Sequence, residues 1–236
     1  MLGDKLPILM YHAVAPTQSE GLAISSEKLE EQFKYLVDKG YKTYHFNELM
    51  GLNILPSKNN IVLTFDDAYV SQLEFAYPLL QKYKLKATFF IPMKYIGQQD
   101  YWNEITAPIM DLNQLQSLDP GVIELAYHSY AHKNYNKLSE AEVQIDTLNA
   151  FNVATESQLP LQPYLAYPYG KYPKKDPKKS SFFQQLDSFQ FQLGLRIGNR
   201  VNSFPLKDLF EVQRIDVKGE WSFRKFRKKI RFGKWV

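Results

Sequence analysis

Residues 61–67 read IVLTFDD, a short apolar run that ends in two adjacent carboxylates. The run is rich in β-branched and aromatic side chains, which favour a buried strand. Similar runs alternate with helix-like segments along the chain, at Ile8–Tyr11, Lys42–His45, Ala87–Ile91, Ile123–Tyr127, Tyr164–Tyr167 and Val212–Val217. Strands that alternate with helices build a parallel sheet, and seven such strands, counting Ile61–Phe65, fit a barrel.

Two of the intervening helices have clear sequence signals. The serines at positions 25 and 26 can each cap a helix that stops at Gly40. Ser139 likewise opens a helix that extends to about Glu156. The apolar side chains expected to share one face of the first helix are Leu29, Phe33, Leu36 and Val37.

The composition is that of a soluble globular protein with one domain, spanning residues 1–236. Of the 236 residues, 44% are hydrophobic and 23% are charged, which excludes a disordered or fibrous chain. The absence of cysteine excludes a disulfide, a thiolate zinc site and a cysteine nucleophile. Any bound metal must therefore be held by histidine and carboxylate ligands.

The amino terminus, MLGDKLPILMYHAVAP, does not resemble a signal peptide, because Asp4, Pro7 and His12 interrupt its apolar residues. No stretch approaches the ~20 apolar residues of a membrane span. The sequence therefore predicts a cytoplasmic protein or one attached to the inner membrane surface, or a periplasmic protein if the amino terminus has been trimmed.

A basic aromatic tail occupies residues 224–236, RKFRKKIRFGKWV, which carry seven Lys or Arg and no acid. The rest of the chain holds 22 bases and 25 acids. With its interleaved Phe226, Ile230, Phe232 and Trp235, the tail could lie on an anionic membrane surface. It could equally be a solvated terminal helix with a few rings docked on the core. No nucleic-acid-binding motif accompanies the charge, so nucleic acid is not an expected partner, and no obligatory protein partner is indicated.

Three of the four histidines fall at the carboxyl ends of predicted strands, where such barrels build active sites. His12 ends PILMYH, while His128 and His132 follow IELAY in HSYAH. On a helical turn, histidines four residues apart can face one cation, and a carboxylate would complete a two-histidine, one-carboxylate set. Taken alone, the pair could be two core-edge histidines, and Asp66 with Asp67 could form a turn or helix cap. Their joint occurrence at strand ends favours a metal site.

Two adjacent carboxylates can divide the work of hydrolysis, one as metal ligand and the other as base. Water on zinc has a pKa near ~7 instead of ~15.7, so an ordinary aspartate can accept its proton. Amide hydrolysis also needs an acid for the leaving amine and donors for the oxyanion. His12 is the candidate acid, although it could also be a strand-end histidine satisfied by backbone groups.

The segment YLAYPYGKY, residues 164–172, contains Pro168 and Gly170, which predict a tight turn after a strand. Backbone N–H groups of such a turn can project into a pocket and form an oxyanion hole. The alternative is a loop with aromatic side chains packed beneath it.

Together these motifs resemble the polysaccharide deacetylases with the NodB homology domain, carbohydrate esterase family 4. TFDD at 64–67, HSYAH at 128–132 and YPYG at 167–170 are similar to its first three motifs, in the same order. The resemblance implies a distorted (β/α)7 TIM-like barrel and a divalent metal, with zinc favoured and cobalt or nickel as alternatives. It also implies residue roles: Asp66 as base, Asp67, His128 and His132 as metal ligands, and the Tyr169 backbone N–H as an oxyanion donor.

The chain departs from the family pattern at two points. The stretch before Pro168 lacks the arginine that usually orients the base, a charge that Arg214 could supply from another strand. No histidine follows His132, although common members place the acid histidine late in the chain. However, MYHAV at 10–14 resembles the amino-terminal segment of biofilm poly-N-acetylglucosamine deacetylases, a branch in which the first strand provides this histidine. His12 then replaces the missing motif.

The resemblance implies an N-acetylhexosamine substrate, in a surface polysaccharide or in a lipid-linked or lipopolysaccharide sugar. The basic tail and the apparent lack of a signal peptide favour a lipid-linked sugar at the inner face of the membrane. Alternative readings are an inactive glycan-binding member, an O-acetyl esterase or a hydrolase of some small amide. The side chains expected to contact substrate are Tyr69, Trp102, Tyr167 and Arg214.

Overall fold

The computed structural model describes residues 4–235, with side chains through residue 234. Its strands are β1 (Lys5–Leu6), β2 (Ile8–Tyr11), β3 (Val14–Ala15), β4 (Ile24–Ser25), β5 (Lys42–Thr43), β6 (Asn60–Asp66), β7 (Ala87–Ile91), β8 (Ile123–Tyr127), β9 (Leu161–Ala166), β10 (Leu193–Ile197), β11 (Asn202–Ser203) and β12 (Val212–Asp216). Its α-helices are α1 (Ser26–Asp38), α2 (Phe46–Met50), α3 (Tyr77–Tyr83), α4 (Leu112–Gln116), α5 (Glu140–Ser157), α6 (Lys178–Ser188) and α7 (Phe223–Phe232). These elements form one domain.

Seven parallel strands close a barrel, which confirms the expected (β/α)7 architecture. The strands follow one another around the barrel in the order β2, β12, β10, β9, β8, β7 and β6, and β6 pairs with β2 to complete the ring. Since each of these pairings is parallel, the carboxyl ends of the seven strands meet at one end of the barrel. That end carries the predicted catalytic motifs.

The prediction that Lys42–His45 forms a barrel strand is wrong. Only Lys42 and Thr43 pair, beside the start of β6, and His45 already lies at the amino end of α2. The seventh barrel strand is β10, which the sequence reading missed because LGLRI contains a glycine and an arginine. The glycine is required there, since a Cβ at Gly194 would lie 1.9 Å from the Tyr167 hydroxyl oxygen.

The two predicted helices are confirmed, with one correction. The Ser25 hydroxyl accepts a hydrogen bond from the Lys28 N–H at the start of α1, and α5 begins with a capping box between Ser139 and Glu142. Val37, expected on the buried face of α1, is 43% exposed. Gln32 takes the buried position instead, where it accepts a hydrogen bond from Tyr11.

The basic tail forms α7, in which Phe226 and Ile230 are buried, and the Phe226 ring lies against Tyr35 of α1. Phe232 is half exposed, and the side chain of Trp235 lies outside the described residues. The hypothesis that the tail docks on the core therefore accounts for two of its four apolar side chains, while contact with a membrane surface stays a prediction. Within residues 4–235, no helix combines the length and the apolar character needed to cross a bilayer.

Candidate active site

The barrel brings together side chains that are far apart in sequence, because each follows or ends a strand at the same end. β6 ends at Asp66 and is followed by Asp67, β2 is followed by His12, and β8 by His128. All four residues are buried, with at most 9% of any residue exposed. The sequence-predicted cluster is therefore present as one compact group beneath the mouth of the barrel.

Backbone conformations that non-glycine residues rarely adopt are concentrated here. Asp67, Ala68, Ser129, His132 and Tyr169 all have positive φ angles, between 51° and 73°. Such conformations cost of order ~1–3 kcal/mol each and persist only where the surrounding structure imposes them. They turn the chain sharply after β6, β8 and β9, so that the side chains of the three motifs converge.

The loop that carries the two histidines is not the helical turn expected from their spacing. After β8 the chain bends through residues 128–132 without helical hydrogen bonds, with Ser129 and His132 in left-handed conformations. The two imidazole rings nevertheless converge, with centroids 4.9 Å apart. A register shift between β8 and β9 at Ala126 and Tyr127 directs the strand end toward the site.

Asp146, a buried residue of α5, holds this loop in place. Its carboxylate accepts hydrogen bonds from the backbone N–H groups of Tyr130 at 2.9 Å and Ala131 at 3.0 Å, and from the Tyr135 hydroxyl at 3.2 Å. The sequence reading missed Asp146, because an acid within an amphipathic helix is ordinarily a solvated residue. The sequence signal for Asp146 is weak, because it consists only of a charged residue on the buried face of the helix.

Asp146→Ala should lower the free energy of unfolding by about 1–3 kcal/mol, because it leaves buried N–H donors without an acceptor. It should also weaken metal binding, since the loop that holds His128 and His132 loses its anchor. Chemical denaturation and a zinc titration of the chelator-treated protein measure both effects. Asp187→Asn, an exposed change on α6, is the matched control. Unchanged zinc affinity in Asp146→Ala would contradict the anchoring role.

Asp67, His128 and His132 are arranged to hold a metal ion. Oδ1 of Asp67 lies 3.3 Å from Nε2 of His132 and 3.5 Å from Nε2 of His128. Tetrahedral zinc with bonds of about 2.0–2.1 Å separates its ligands by about 3.3–3.4 Å, so these spacings fit. Nδ1 of His128 lies 2.8 Å from the Ala166 carbonyl oxygen, which makes it the protonated nitrogen and leaves the Nε2 lone pair free. Oδ1 of Asp67 is buried and accepts no hydrogen bond from a described residue.

The charges of the three groups also suit a cation. Burial lowers the pKa of His128 to about 4, so its imidazole is neutral at physiological pH and can act as a ligand. Burial alone would raise the pKa of Asp67, but the imidazoles of His132 and His128 hold that pKa well below its usual range. The set is thus one carboxylate with two imidazoles, and such a set leaves coordination positions open.

Arg214 forms a bidentate ion pair with Asp66 inside the barrel. Its Nη1 lies 2.6 Å from Oδ1 and its Nη2 lies 2.8 Å from Oδ2 of the carboxylate. Burial would raise the pKa of Asp66, yet the Arg214 guanidinium brings that pKa below its ordinary value. Arg214 therefore supplies, from β12, the charge that the stretch before Pro168 lacks.

His12 lies on the other side of the same carboxylate, with Nε2 3.9 Å from Oδ2 of Asp66. The buried amide group of Gln72 fixes this arrangement, because it donates to the carbonyl oxygens of Asp66 at 2.6 Å and His12 at 3.1 Å. Gln72 was missed at the level of sequence, where a glutamine five residues after TFDD carries no recognisable signal. Nδ1 of His12 is buried without a hydrogen-bond partner among the described residues.

Trp102, one of the side chains expected to contact substrate, lies against the ring of His132, as does Tyr169. The Trp102 indole stacks on the His132 ring at a centroid distance of 3.8 Å, and the Tyr169 ring lies 4.8 Å from His132. Tyr169 is 47% exposed, so its ring stands at the rim of the site. Both residues could therefore form a wall for a sugar ring.

The other three side chains expected to contact substrate are too deeply buried to do so. The Arg214 side chain is inaccessible and engaged with Asp66. Tyr167 is fully buried, with its hydroxyl donating to the Phe210 carbonyl, in the aromatic cluster that was the alternative reading of this loop. Tyr69 is 4% exposed and donates to Asp100. These three side chains pack beneath the site, because they point from their strand or loop into the core.

The strand ends of this parallel barrel carry a buried carboxylate, a set of two histidines and one aspartate, and a further histidine. This arrangement is that of a hydrolase-type site. Residues 55–181 match the family described as Polysaccharide deacetylase. The protein YxkH of Bacillus subtilis (strain 168), whose name assigns it provisionally to the same family, is 30% identical over 174 residues, 71% of this chain and 58% of that protein. The chain belongs to the polysaccharide deacetylase family.

One further relative and two solved structures are also similar to this chain. A poly-beta-1,6-N-acetyl-D-glucosamine N-deacetylase of Staphylococcus aureus (strain MRSA252) is 25% identical over 68% of this chain and 58% of its own length. The chain thus spans less than two thirds of these two relatives. The structure of the Streptococcus pyogenes deacetylase PplD in complex with acetate has the same fold, with a TM-score of 0.80 and 22% identity over 96% of this chain and 98% of that one. IcaB from Ammonifex degensii superposes with a TM-score of 0.77 at 22% identity, covering 97% of this chain and 98% of its own.

Proposed function

We propose that the protein hydrolyses the N-acetyl group of an N-acetylhexosamine in a surface polysaccharide or a lipid-linked sugar. The observation that carries the proposal is the arrangement around Asp66, which lies between the Asp67–His128–His132 set and His12. Family membership supports deacetylation, and the name of the Staphylococcus aureus relative supports an N-acetylglucosamine polymer as the substrate class.

Asp67, His128 and His132 would hold the divalent metal. Zinc suits this nitrogen and oxygen set, and cobalt or nickel could replace it. When bound, such a metal polarises the acetyl carbonyl and makes water a better nucleophile.

Asp66 acts as the base. The pair with Arg214 keeps its carboxylate ionised, and Oδ2 still faces His12 and His128, at 3.9 and 3.8 Å from their Nε2 atoms. Oδ2 accepts the proton of the attacking water as the new C–O bond forms. His12 then donates a proton to the amide nitrogen as the C–N bond breaks, so that acetate and a free amine leave the site.

The turn at residues 168–170 provides the oxyanion contact. Tyr169 has a φ of 58°, a conformation that turns this segment back sharply after β9. We assign its backbone N–H as the donor to the carbonyl oxygen of the acetyl group, while its ring forms part of the sugar-binding wall with Trp102. A donor fixed in advance in a buried site stabilises developing charge without having to reorganise.

Removal of the metal should abolish acetate release from N-acetylglucosamine oligomers, and zinc, cobalt or nickel should restore it. Magnesium is the control, because it prefers oxygen ligands and should not restore activity. Zinc should also raise the melting temperature of the chelator-treated protein, since a ligand of the folded state stabilises it. Full activity at a measured metal content far below one per chain would overturn this assignment.

The same assay distinguishes the N-deacetylase hypothesis from the O-acetyl esterase hypothesis. A lipid-linked N-acetylhexosamine and an O-acetylated glycan are compared with the N-acetylglucosamine oligomers under the restoring metal. Preferential acetate release from the N-acetyl substrates supports the proposed reaction, whereas preference for the O-acetylated glycan would make the protein an esterase.

A further inference from the structure

A positively charged cleft adjoins the active site on the same end of the barrel. It has a volume of about 450 Å³ and lies at the carboxyl ends of β10 and β12. Five bases line it, and Asp216 is the single acid among its described lining residues: the bases are Arg196, Lys218, Lys225, Lys229 and Lys234. We call this feature the cationic cleft.

Two features place the cationic cleft close to the proposed catalytic residues. Ile197, which lines the cleft, packs so closely on the proposed oxyanion turn that a Cβ at Gly170 would lie 2.7 Å from its Cγ1. Asp216 lies two residues after Arg214 on β12, so their side chains leave the same face of the strand. The cleft therefore begins beside the proposed oxyanion turn.

Asp216 and the nearby Glu220, which is attracted by Lys218 and Lys225, compensate part of the positive charge of the cleft. Lys218 pairs with Asp216 at 2.8 Å, and Arg196 is attracted by Glu211 outside the cleft. The ammonium groups of Lys225 and Lys229 lie 5.3 and 5.9 Å from the Trp221 ring centroid. Burial and the charge of Lys225 both lower the pKa of Lys229, as expected where two like charges share one cleft.

Repulsion of this kind is relieved when an anion binds between the charges. We propose that the cationic cleft binds a phosphate group carried by the glycan, so that the substrate is a phosphate-bearing N-acetylhexosamine chain. This inference rests on the proposed deacetylase function and specifies its substrate class. Phosphate fits better than carboxylate, because its several oxygens can accept from more than one of the convergent ammonium groups.

A lipid surface is the weaker candidate for the same charges. The aromatic ring of the cleft, Trp221, is only 7% exposed and so offers little apolar surface to a bilayer. The outer bases of α7, Arg224 and Lys228, are exposed and do not line the cleft. These two positions provide a matched control on the same helix.

The test compares two double variants that each remove two positive charges from α7. Lys225→Gln/Lys229→Gln changes the cleft, and Arg224→Gln/Lys228→Gln changes the outer face. The zinc-loaded protein is assayed with N-acetylglucosamine oligomers that carry a terminal 1-phosphate, a terminal carboxylate or no charged group. The readouts are the dissociation constant from calorimetry and KM for acetate release.

We expect the unmodified protein to prefer the phosphorylated oligomer to the uncharged one. The cleft variant should lose about tenfold of that preference, as expected for the loss of charge-assisted contacts that are partly exposed. The outer-face variant should retain it. Equal preference for carboxylate and phosphate, or equal loss in both variants, would overturn the phosphate assignment. Equal loss of binding to phosphatidylglycerol vesicles in both variants, with unchanged oligomer preference, would assign the charges to a membrane.

The two proposals fail in different ways. Selective binding of the phosphorylated oligomer without acetate release would retain the cleft and overturn the deacetylase reaction. Acetate release from all three oligomers at equal KM, with no difference in their dissociation constants, would retain the reaction and overturn the cleft.

Discussion

Asp66→Asn should lower kcat for acetate release by about 10²–10⁴-fold, the range expected when a general base is removed. Asparagine has nearly the shape of aspartate but cannot accept the proton of the attacking water at neutral pH. The metal ligand set retains Asp67, His128 and His132, so zinc should still bind. Trp102 and Tyr169 also remain, so glycan should bind with nearly unchanged affinity.

Measurement of kcat, zinc content and oligomer affinity on one preparation distinguishes loss of chemistry from loss of structure. Because the variant leaves the buried Arg214 without its counter-charge, its melting temperature must be determined first, and the assay run well below it. Asp187→Asn on the surface of α6 is the matched control. Wild-type acetate release by Asp66→Asn would show that Asp66 is not the base, and would favour another residue or a different reaction.

The sequence was sufficient to predict the barrel and the residues that meet at its carboxyl end. Each catalytic motif lies directly after a strand with a strong apolar pattern, so topology alone brings Asp66, His12 and His128 together. The strand β10 was missed because Gly194 and Arg196 interrupt its apolar pattern. Residues 42–45 were wrongly predicted as the seventh barrel strand. The strand number was therefore predicted correctly, but with one incorrect member.

The supporting residues could not be predicted, because their roles depend on contacts between distant segments. Asp146 and Gln72 resemble ordinary helix residues in the sequence, yet their buried polar groups fix the histidine loop and the ends of β2 and β6. Burial also determines which of the expected aromatic side chains are accessible at the site. Tyr69 and Tyr167 are close in sequence to catalytic motifs, but they point into the core.

Arg214→Met should lower the free energy of unfolding by about 3–5 kcal/mol at neutral pH, because it leaves the Asp66 carboxylate buried without its partner. Arg214 is 0% exposed and bonded to both carboxylate oxygens, so solvent cannot replace it. In the double variant Asp66→Asn/Arg214→Met, no charge of this pair remains buried. The double variant should therefore regain most of the lost stability, as measured by urea denaturation.

The pH dependence follows from the direction of the Asp66 pKa. In the native protein this pKa is below its ordinary value, so the pair contributes stability above the unfolded-state pKa of about 3.9 and loses it as the pH falls through the folded-state pKa. In Arg214→Met, burial dominates and raises the Asp66 pKa, which disfavours the ionised form in the folded state. The stability difference between the two proteins should thus shrink as the pH is lowered from 7 toward about 4.

The same shift should be visible in catalysis, and it separates a positioning role of Arg214 from a merely structural one. With the Asp66 pKa raised, the acidic limb of the kcat/KM profile should move to higher pH in Arg214→Met. Arg224→Met, at an exposed site of α7, should change neither stability nor the profile by a measurable amount. If Arg214→Met loses stability while its acidic limb stays in place, Arg214 supports the barrel without tuning the base, and the charge that orients Asp66 must come from elsewhere in the site.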